Sequence, residues 1–170
     1  MTFNVGIIGL GMIGASMLQE FLTHPAFSVG GVWDRNEEIN RQIAGQFPDV
    51  QIAKNAASMI HDPSIDLIYI ATPPMTHVDY AHQVIGAGKA LLCDKPLAID
   101  LEQGRRLVVA AEEQQVPTAM NFVYGAGSVV ETLEQQLKSG AIGIPQSIEV
   151  RYQFPSWPCL LYTSPSPRDS

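Results

Sequence analysis

Cysteine is scarce in this chain: two residues in 170, Cys93 and Cys159, far apart and without metal-ligand spacing. No metal site is expected, and Cys93, inside an apolar run, reads as a buried thiol. Basic residues are also few, ten against seventeen acidic ones, for a net charge of −7. That balance argues against a nucleic-acid groove, which needs clustered Lys and Arg to neutralise phosphates. None of the ten precedes Arg35, so the N-terminus lacks the cationic start of a signal peptide. Long hydrophobic runs are missing too. The first is broken by Gly9, Gly11 and Gly14 and ends at Gln19-Glu20, too short to cross a membrane. Charged residues make up only 16% against 46% hydrophobic, a composition that buries a core. The expectation is a cytoplasmic protein without nucleic-acid or membrane partners, long enough for one domain and a fragment.

What is present alternates between strand and helix. Phe3–Ile8 reads as a buried strand running into glycines, and Met12–Leu22 as a helix with Met17, Leu18, Phe21 and Leu22 on its apolar side. Ser28–Trp33 is a second strand ending at Asp34. Asn36 caps a helix carrying Ile39, Ile43 and Phe47. A short strand at Gln51–Ala53, a small helix at Ala56–His61 and a strand at Asp66–Ala71 follow. Thr76 is expected to cap a helix with Val78, Ala81 and Ile85, stopped by Gly86 and Gly88. Lys89–Cys93 is a strand, Asp100 with Gln103 suggests a capping box for a helix through Gln115, and Val116–Phe122 supplies a sixth strand. Pro117 suits an edge position there. Such alternation predicts an α/β fold, a doubly wound parallel sheet covered on both faces.

After Tyr124 the pattern changes. Ser128–Lys138 reads as a helix ended by Gly140, and Gln146–Phe154 alternates like a half-buried strand opening a second, mixed-sheet domain. The stretch CLLYTSPSPRD, Cys159–Asp169, matches at every position an in-frame translation of a common transposase-type sequencing adaptor. It is set aside as non-native. The expected organisation is a dinucleotide-binding domain at 1–122, the start of a substrate domain at 123–158, and a foreign tail at 159–170.

Gly9–Gly14, GLGMIG, is a G-x-G-x-x-G loop between a predicted strand and helix. Gly9 permits the tight turn, Gly11 lets backbone approach a pyrophosphate, and Gly14 allows helix and strand to pack closely. The N–H groups of Met12 and Ile13 at the helix start are offered to phosphate oxygens. Asp34 can accept hydrogen bonds from adenosine ribose hydroxyls and would repel a 2′-phosphate, favouring NAD, while Arg35 beside it leaves NADP open.

Together GLGMIG, Asp34, ATPPMTH at Ala71–His77 and CDKP at Cys93–Pro96 resemble the glucose–fructose oxidoreductase/inositol dehydrogenase/MocA family, in order and spacing as well as type. The resemblance covers residues 1–158. It implies a Rossmann fold and an NAD(P)-dependent hydride transfer on a sugar, cyclic polyol or related small molecule, with a homo-oligomeric parent enzyme. It places Thr72, Pro73 and His77 along the cofactor groove, although a His in the first turn of a helix is more often structural. His24, His61 and His82 show no ligand spacing and read as packing or solvent-facing residues. Lys95 takes the position of the family's substrate-binding, proton-handling lysine, the catalytic candidate here. The resemblance sets Asp94 and Lys95 beside the nicotinamide, Asp94 one methylene shorter than the family's Glu. Asn121, a further cofactor-binding candidate, matches the Asn of the family's Asn-Arg-Arg segment, but Phe122 and Val123 replace its arginines. The family's downstream Asp and His acid–base motif would fall beyond Pro158, so the chain alone is expected to be inactive. A non-catalytic NAD(P)-binding sensor of the same family remains an alternative; an S-adenosylmethionine-dependent methyltransferase does not explain CDKP and ATPP.

Overall fold

The structure is a computed structural model that describes residues 2–151 apart from Tyr124, Ala126 and Val150. The chain divides into two units, Met1–Val123 and Tyr124–Ser170.

In the first unit β1 (Phe3–Ile8), β2 (Phe27–Trp33), β3 (Leu67–Ile70), β4 (Ala90–Asp94) and β5 (Thr118–Asn121) form one parallel sheet in the order β2-β1-β3-β4-β5. Helices α1 (Met12–Thr23), α2 (Glu37–Gln46), α3 (Ala56–Ile60), α4 (His77–Gly86) and α5 (Leu101–Glu113) connect them. The chain winds outward from β1 in both directions, which leaves a crevice beyond the carboxyl ends of β1 and β3.

Two apolar layers hold the sheet. Val5, Ile7, Leu18, Phe21, Val32, Ile43 and Tyr69 form one; Ile8, Ile60, Ile68, Ile70, Ile85 and Leu107 belong to the other. Each such side chain, buried fully, contributes about 1.5–3 kcal/mol. On α1, Leu18 and Phe21 are buried as their spacing predicts. Leu22, expected beside them, stays exposed, and Gly14 is the third buried position.

The elements depart from expectation where a local bond ends them. Gln51–Ala53 is a single bridge from Ile52 to Val32 rather than a strand. Asn55 and Ser58 form a reciprocal capping box immediately after it and turn the chain into α3. Among the described residues the sheet therefore has five strands, not six. Val116 N–H still bonds the Ala111 carbonyl and Phe122 N–H turns back to Met120, so β5 is shorter than Val116–Phe122. It is an edge strand, as Pro117 suggests. Asp100 accepts the Gln103 N–H at 2.8 Å as the cap of α5, which ends at Glu113, two residues before the expected Gln115. Lys89, expected in a strand, precedes β4 and donates instead to the carbonyls of Asp62 and Ile65, both at 2.6 Å.

In the second unit α6 spans Ser128–Lys138 as predicted, and Gly140 after it has φ +72°. Gln146–Glu149 form no strand. No partner strand lies among the described residues of that unit, and a lone strand cannot satisfy its backbone groups. Tyr152 and Phe154 of the predicted alternation, and the tail 159–170, lie outside the described residues. Among the described residues no helix is long and apolar enough to cross a membrane.

Candidate dinucleotide site

The glycine loop, Asp34, ATPP and CDKP all fall at the carboxyl edge of the sheet. Gly9 follows β1 with φ +94°, a conformation that side chains rarely adopt. Its N–H donates to the Trp33 carbonyl at 2.8 Å, tying the loop to β2. A Cβ on Gly9 would lie 2.6 Å from the Thr72 nitrogen, so ATPP backbone presses directly on the loop. At Gly14 a Cβ would fall 1.9 Å from the Gly9 carbonyl oxygen. That closeness is what packs α1 onto the loop. Gly11, by contrast, caps α1, and a Cβ there would meet nothing within 4 Å, so its backbone faces open space.

The residues therefore fit a pyrophosphate. Two glycines are filled in by protein, while the third leaves room for a ligand against the backbone. The first-turn N–H groups of Met12 and Ile13 have no intrahelical acceptor, and no acidic side chain in that turn competes for them. Both side chains are exposed.

Asp34, half-buried, is held on all sides. Its Oδ2 accepts the Leu10 N–H and its Oδ1 the Asn36 N–H, each at 2.8 Å. An ionised carboxylate offers about four acceptor sites, so capacity remains for ribose hydroxyls. Arg35 is exposed beside it. Tyr80 on α4 is a residue that motif reading missed. Burial first raises its hydroxyl pKa, with Arg35 lowering it and Asp34 raising it. The available signal was its position one helical turn after His77.

Beyond β3, Thr76 is the last residue of a 3-10 turn, Pro74–Thr76, and makes no side-chain cap. Its backbone is already helical, so its hydroxyl points back to Thr72 Oγ1 at 2.9 Å and the Pro73 carbonyl at 3.0 Å. Thr72 is half-buried and Pro73 exposed. His77 is 1% exposed. Nδ1 lies 2.8 Å from the Pro96 carbonyl and Nε2 2.7 Å from the Thr72 carbonyl. Both ring nitrogens are engaged by backbone, so the ring joins the loops after β3 and β4 instead of facing the crevice.

Lys95 is exposed immediately past β4, and its bond to Pro96 is cis. The residues on either side of it are anchored. Asn121 Nδ2 lies 3.5 Å from Asp94 Oδ1 and donates to the Tyr69 hydroxyl at 3.2 Å; Pro96 is bound by His77. Tyr69 is fully buried, and burial, with the Asp94 charge second, pushes its hydroxyl up to about 12. Cys93 is buried, and burial first and Asp94 second push its thiol up to about 12. An apolar cavity of about 130 Å³ lies elsewhere, lined by Leu91, Cys93, Leu107 and Met120 among others, and touches none of the glycine loop.

The sheet order, the glycine loop and the acid closing β2 together define a dinucleotide-binding Rossmann domain. Residues 3–122 match the model of an oxidoreductase family with an NAD-binding Rossmann fold, the glucose–fructose oxidoreductase/inositol dehydrogenase/MocA family, and the chain belongs to it. It is 29% identical over 169 residues to the inositol 2-dehydrogenase of Acidothermus cellulolyticus, covering 98% of this chain and 50% of that protein. It is 30% identical over 158 residues to the NADP(+)-dependent scyllo-inositol 2-dehydrogenase of Bacillus subtilis, covering 89% and 42%. The apo scyllo-inositol dehydrogenase of Lactobacillus casei shares the fold, with a TM-score of 0.77 at 18% identity over 84% of this chain and 43% of that one. The chain thus spans about half the length, or less, of these relatives.

Proposed function

We propose that the first unit binds a nicotinamide dinucleotide and prefers NAD to NADP, as part of an oxidoreductase acting on a sugar or cyclic polyol. The observation that carries the cofactor reading is the Asp34 carboxylate, held against the glycine loop by the Leu10 N–H. A fixed negative charge there favours ribose hydroxyls and disfavours a 2′-phosphate. Gly9, Gly11, Met12, Ile13 and Gly14 would hold the pyrophosphate, and Thr72 and Pro73 would present backbone along the groove. The bound nicotinamide supplies hydride transfer. Lys95, exposed between two anchored neighbours, would hold a substrate hydroxyl and take or return its proton. Asp94, Asn121 and His77 fix the segment that carries it. Inositol as substrate is supported by the names of the relatives above.

Calorimetric titration of the chain with NADH and NADPH tests the cofactor reading. Tighter binding of NADH is expected, and Asp34→Ala should narrow the difference; equal or tighter NADPH binding refutes it. In a protein carrying this region with a complete substrate domain, Lys95→Ala should lower turnover on inositols or sugars roughly 10²–10⁴-fold. NADH affinity should stay unchanged. Undiminished turnover returns Lys95 to an ordinary loop residue.

A further inference from the structure

We propose that Asn40, on the first turns of α2, is a positioning residue that sets the NAD-over-NADP preference by holding Asp34 in place. This rests on the reading of Asp34 as the ribose acid. β2 is an edge strand, so the N–H and C=O groups of alternate residues face away from β1 and need partners. At Val32 those groups are taken by Gln51 and Ala53: Val32 N–H donates to the Gln51 carbonyl and its own carbonyl accepts the Ala53 N–H, both at 2.9 Å. Two residues on, at Asp34, no backbone among the described residues does the same. The Asn40 side-chain amide does it instead. Its Oδ1 accepts the Asp34 N–H at 2.8 Å and its Nδ2 donates to the Asp34 carbonyl at 2.8 Å.

A side-chain amide thus stands in for a strand partner at the one residue whose carboxylate must be aimed. Amide donor and acceptor on one rigid plane fix the Asp34 backbone at two points. The carboxylate is then left to the loop, with Leu10 and Asn36 N–H groups on its two oxygens. Only Asn and Gln carry an amide donor and acceptor side by side on one plane, and Gln is one methylene longer. Asp and Glu lack the donor, Lys and Arg lack the acceptor, and apolar residues lack both. Asn is also a poor helix former, so α2 loses a little intrinsic stability by carrying it at this position.

The test compares dissociation constants for NADH and NADPH, by calorimetry on the full chain, for the parent, Asn40→Ala, Asp34→Ala and Asn55→Ala. The ratio of two constants on one protein isolates selectivity from general loss of stability. Asn55→Ala removes the cap of α3 and serves as the control for such loss. Asn40→Ala should cut the NADH preference about fivefold, the worth of one lost hydrogen bond in aiming. Asp34→Ala should cut it at least as much, and Asn55→Ala should leave it unchanged. Should Asn40→Ala fail to fold, Asn40→Ser, too short to reach both groups, carries the same expectation. A parent-like ratio in the Asn40 variant beside a narrowed ratio in Asp34→Ala overturns this inference alone. An equal shift in Asn55→Ala also overturns it. An unshifted ratio in Asp34→Ala overturns the ribose-acid reading and this inference with it.

Discussion

Two substitutions in the glycine loop, Gly14→Ala and Gly11→Ala, should have opposite consequences. At Gly14 the added methyl would stand 1.9 Å from the Gly9 carbonyl oxygen, 2.9 Å from its carbon and 3.4 Å from the Ala71 Cβ. Real Cβ contacts essentially never fall below 3.0 Å, so α1 and the loop must separate from 1.9 to at least 3.0 Å. Neither side can give easily, because the obstruction is backbone already tied to Trp33. Overpacking typically costs about 1–3 kcal/mol, and a backbone obstruction of this size belongs at about 3 kcal/mol. At roughly 3–4 °C per kcal/mol for a unit of this size, the melting temperature should fall by about 10 °C. At Gly11 the methyl meets nothing within 4 Å, and φ −61°, ψ −171° is open to any residue. The gain from a stiffer unfolded chain and the loss of a better helix cap nearly cancel, so stability should change by less than about 1 kcal/mol. Yet that open space is where the proposed function brings phosphate against the backbone, so NADH affinity should fall at least about tenfold. Thermal melts monitored by circular dichroism and NADH titration separate the two. A stable Gly11→Ala protein with parent-like NADH affinity would refute the placement of the pyrophosphate.

Three further outcomes follow from the buried groups. Between about pH 8 and about pH 10.5 the urea midpoint should fall, because the unfolded chain ionises its thiol and phenol first. Cys93 and Tyr69 hold their protons to about 12 against ordinary values of 9.0 and 10.0, so their stabilisation is full below 9.0 and lost as pH rises toward 12. A midpoint that rises with pH across that range would contradict the burial of both. The same burial should keep Cys93 unalkylated by iodoacetamide at about pH 8 until urea unfolds the chain, read by mass spectrometry of its peptide. His77→Leu should lower the unfolding free energy by about 1–3 kcal/mol, since the carbonyl served by the ring N–H is left without its partner. Urea denaturation measures it, and a change under about 0.5 kcal/mol would mean that carbonyl finds another partner.

Much of this was legible in the residues because the determinants are local. Strand β1 is a Val/Ile run closed by glycine, Asn36 does cap α2 through the Glu38 N–H, and α6 begins and ends at the residues its pattern marks. The motifs meet at one edge because a parallel sheet aligns all its carboxyl ends. What was not legible depends on partners far along the chain. Nothing in Gln51–Ala53 says that a capping box will cut its pairing to one bridge. Nor does a lone histidine in a helix announce that its ring will lie between two carbonyls, nineteen and five residues away. Asn40 is invisible for the same reason. Its role exists only once β2 is known to be an edge.

The ring of His77 makes the loops after β3 and β4 a single body. Fixing the backbone of a residue costs about 1–2 kcal/mol of conformational entropy. Because the ring and the Thr72–Thr76 hydroxyl pair already order these segments in the folded chain, that cost is met during folding. Association with a ligand then has little of it left to meet. The proposed dinucleotide groove at Thr72 and the segment that carries Lys95 are, in this sense, joined by one imidazole. A substitution that loosened the ring should therefore weaken binding at the proposed cofactor groove and at the proposed Lys95 site together.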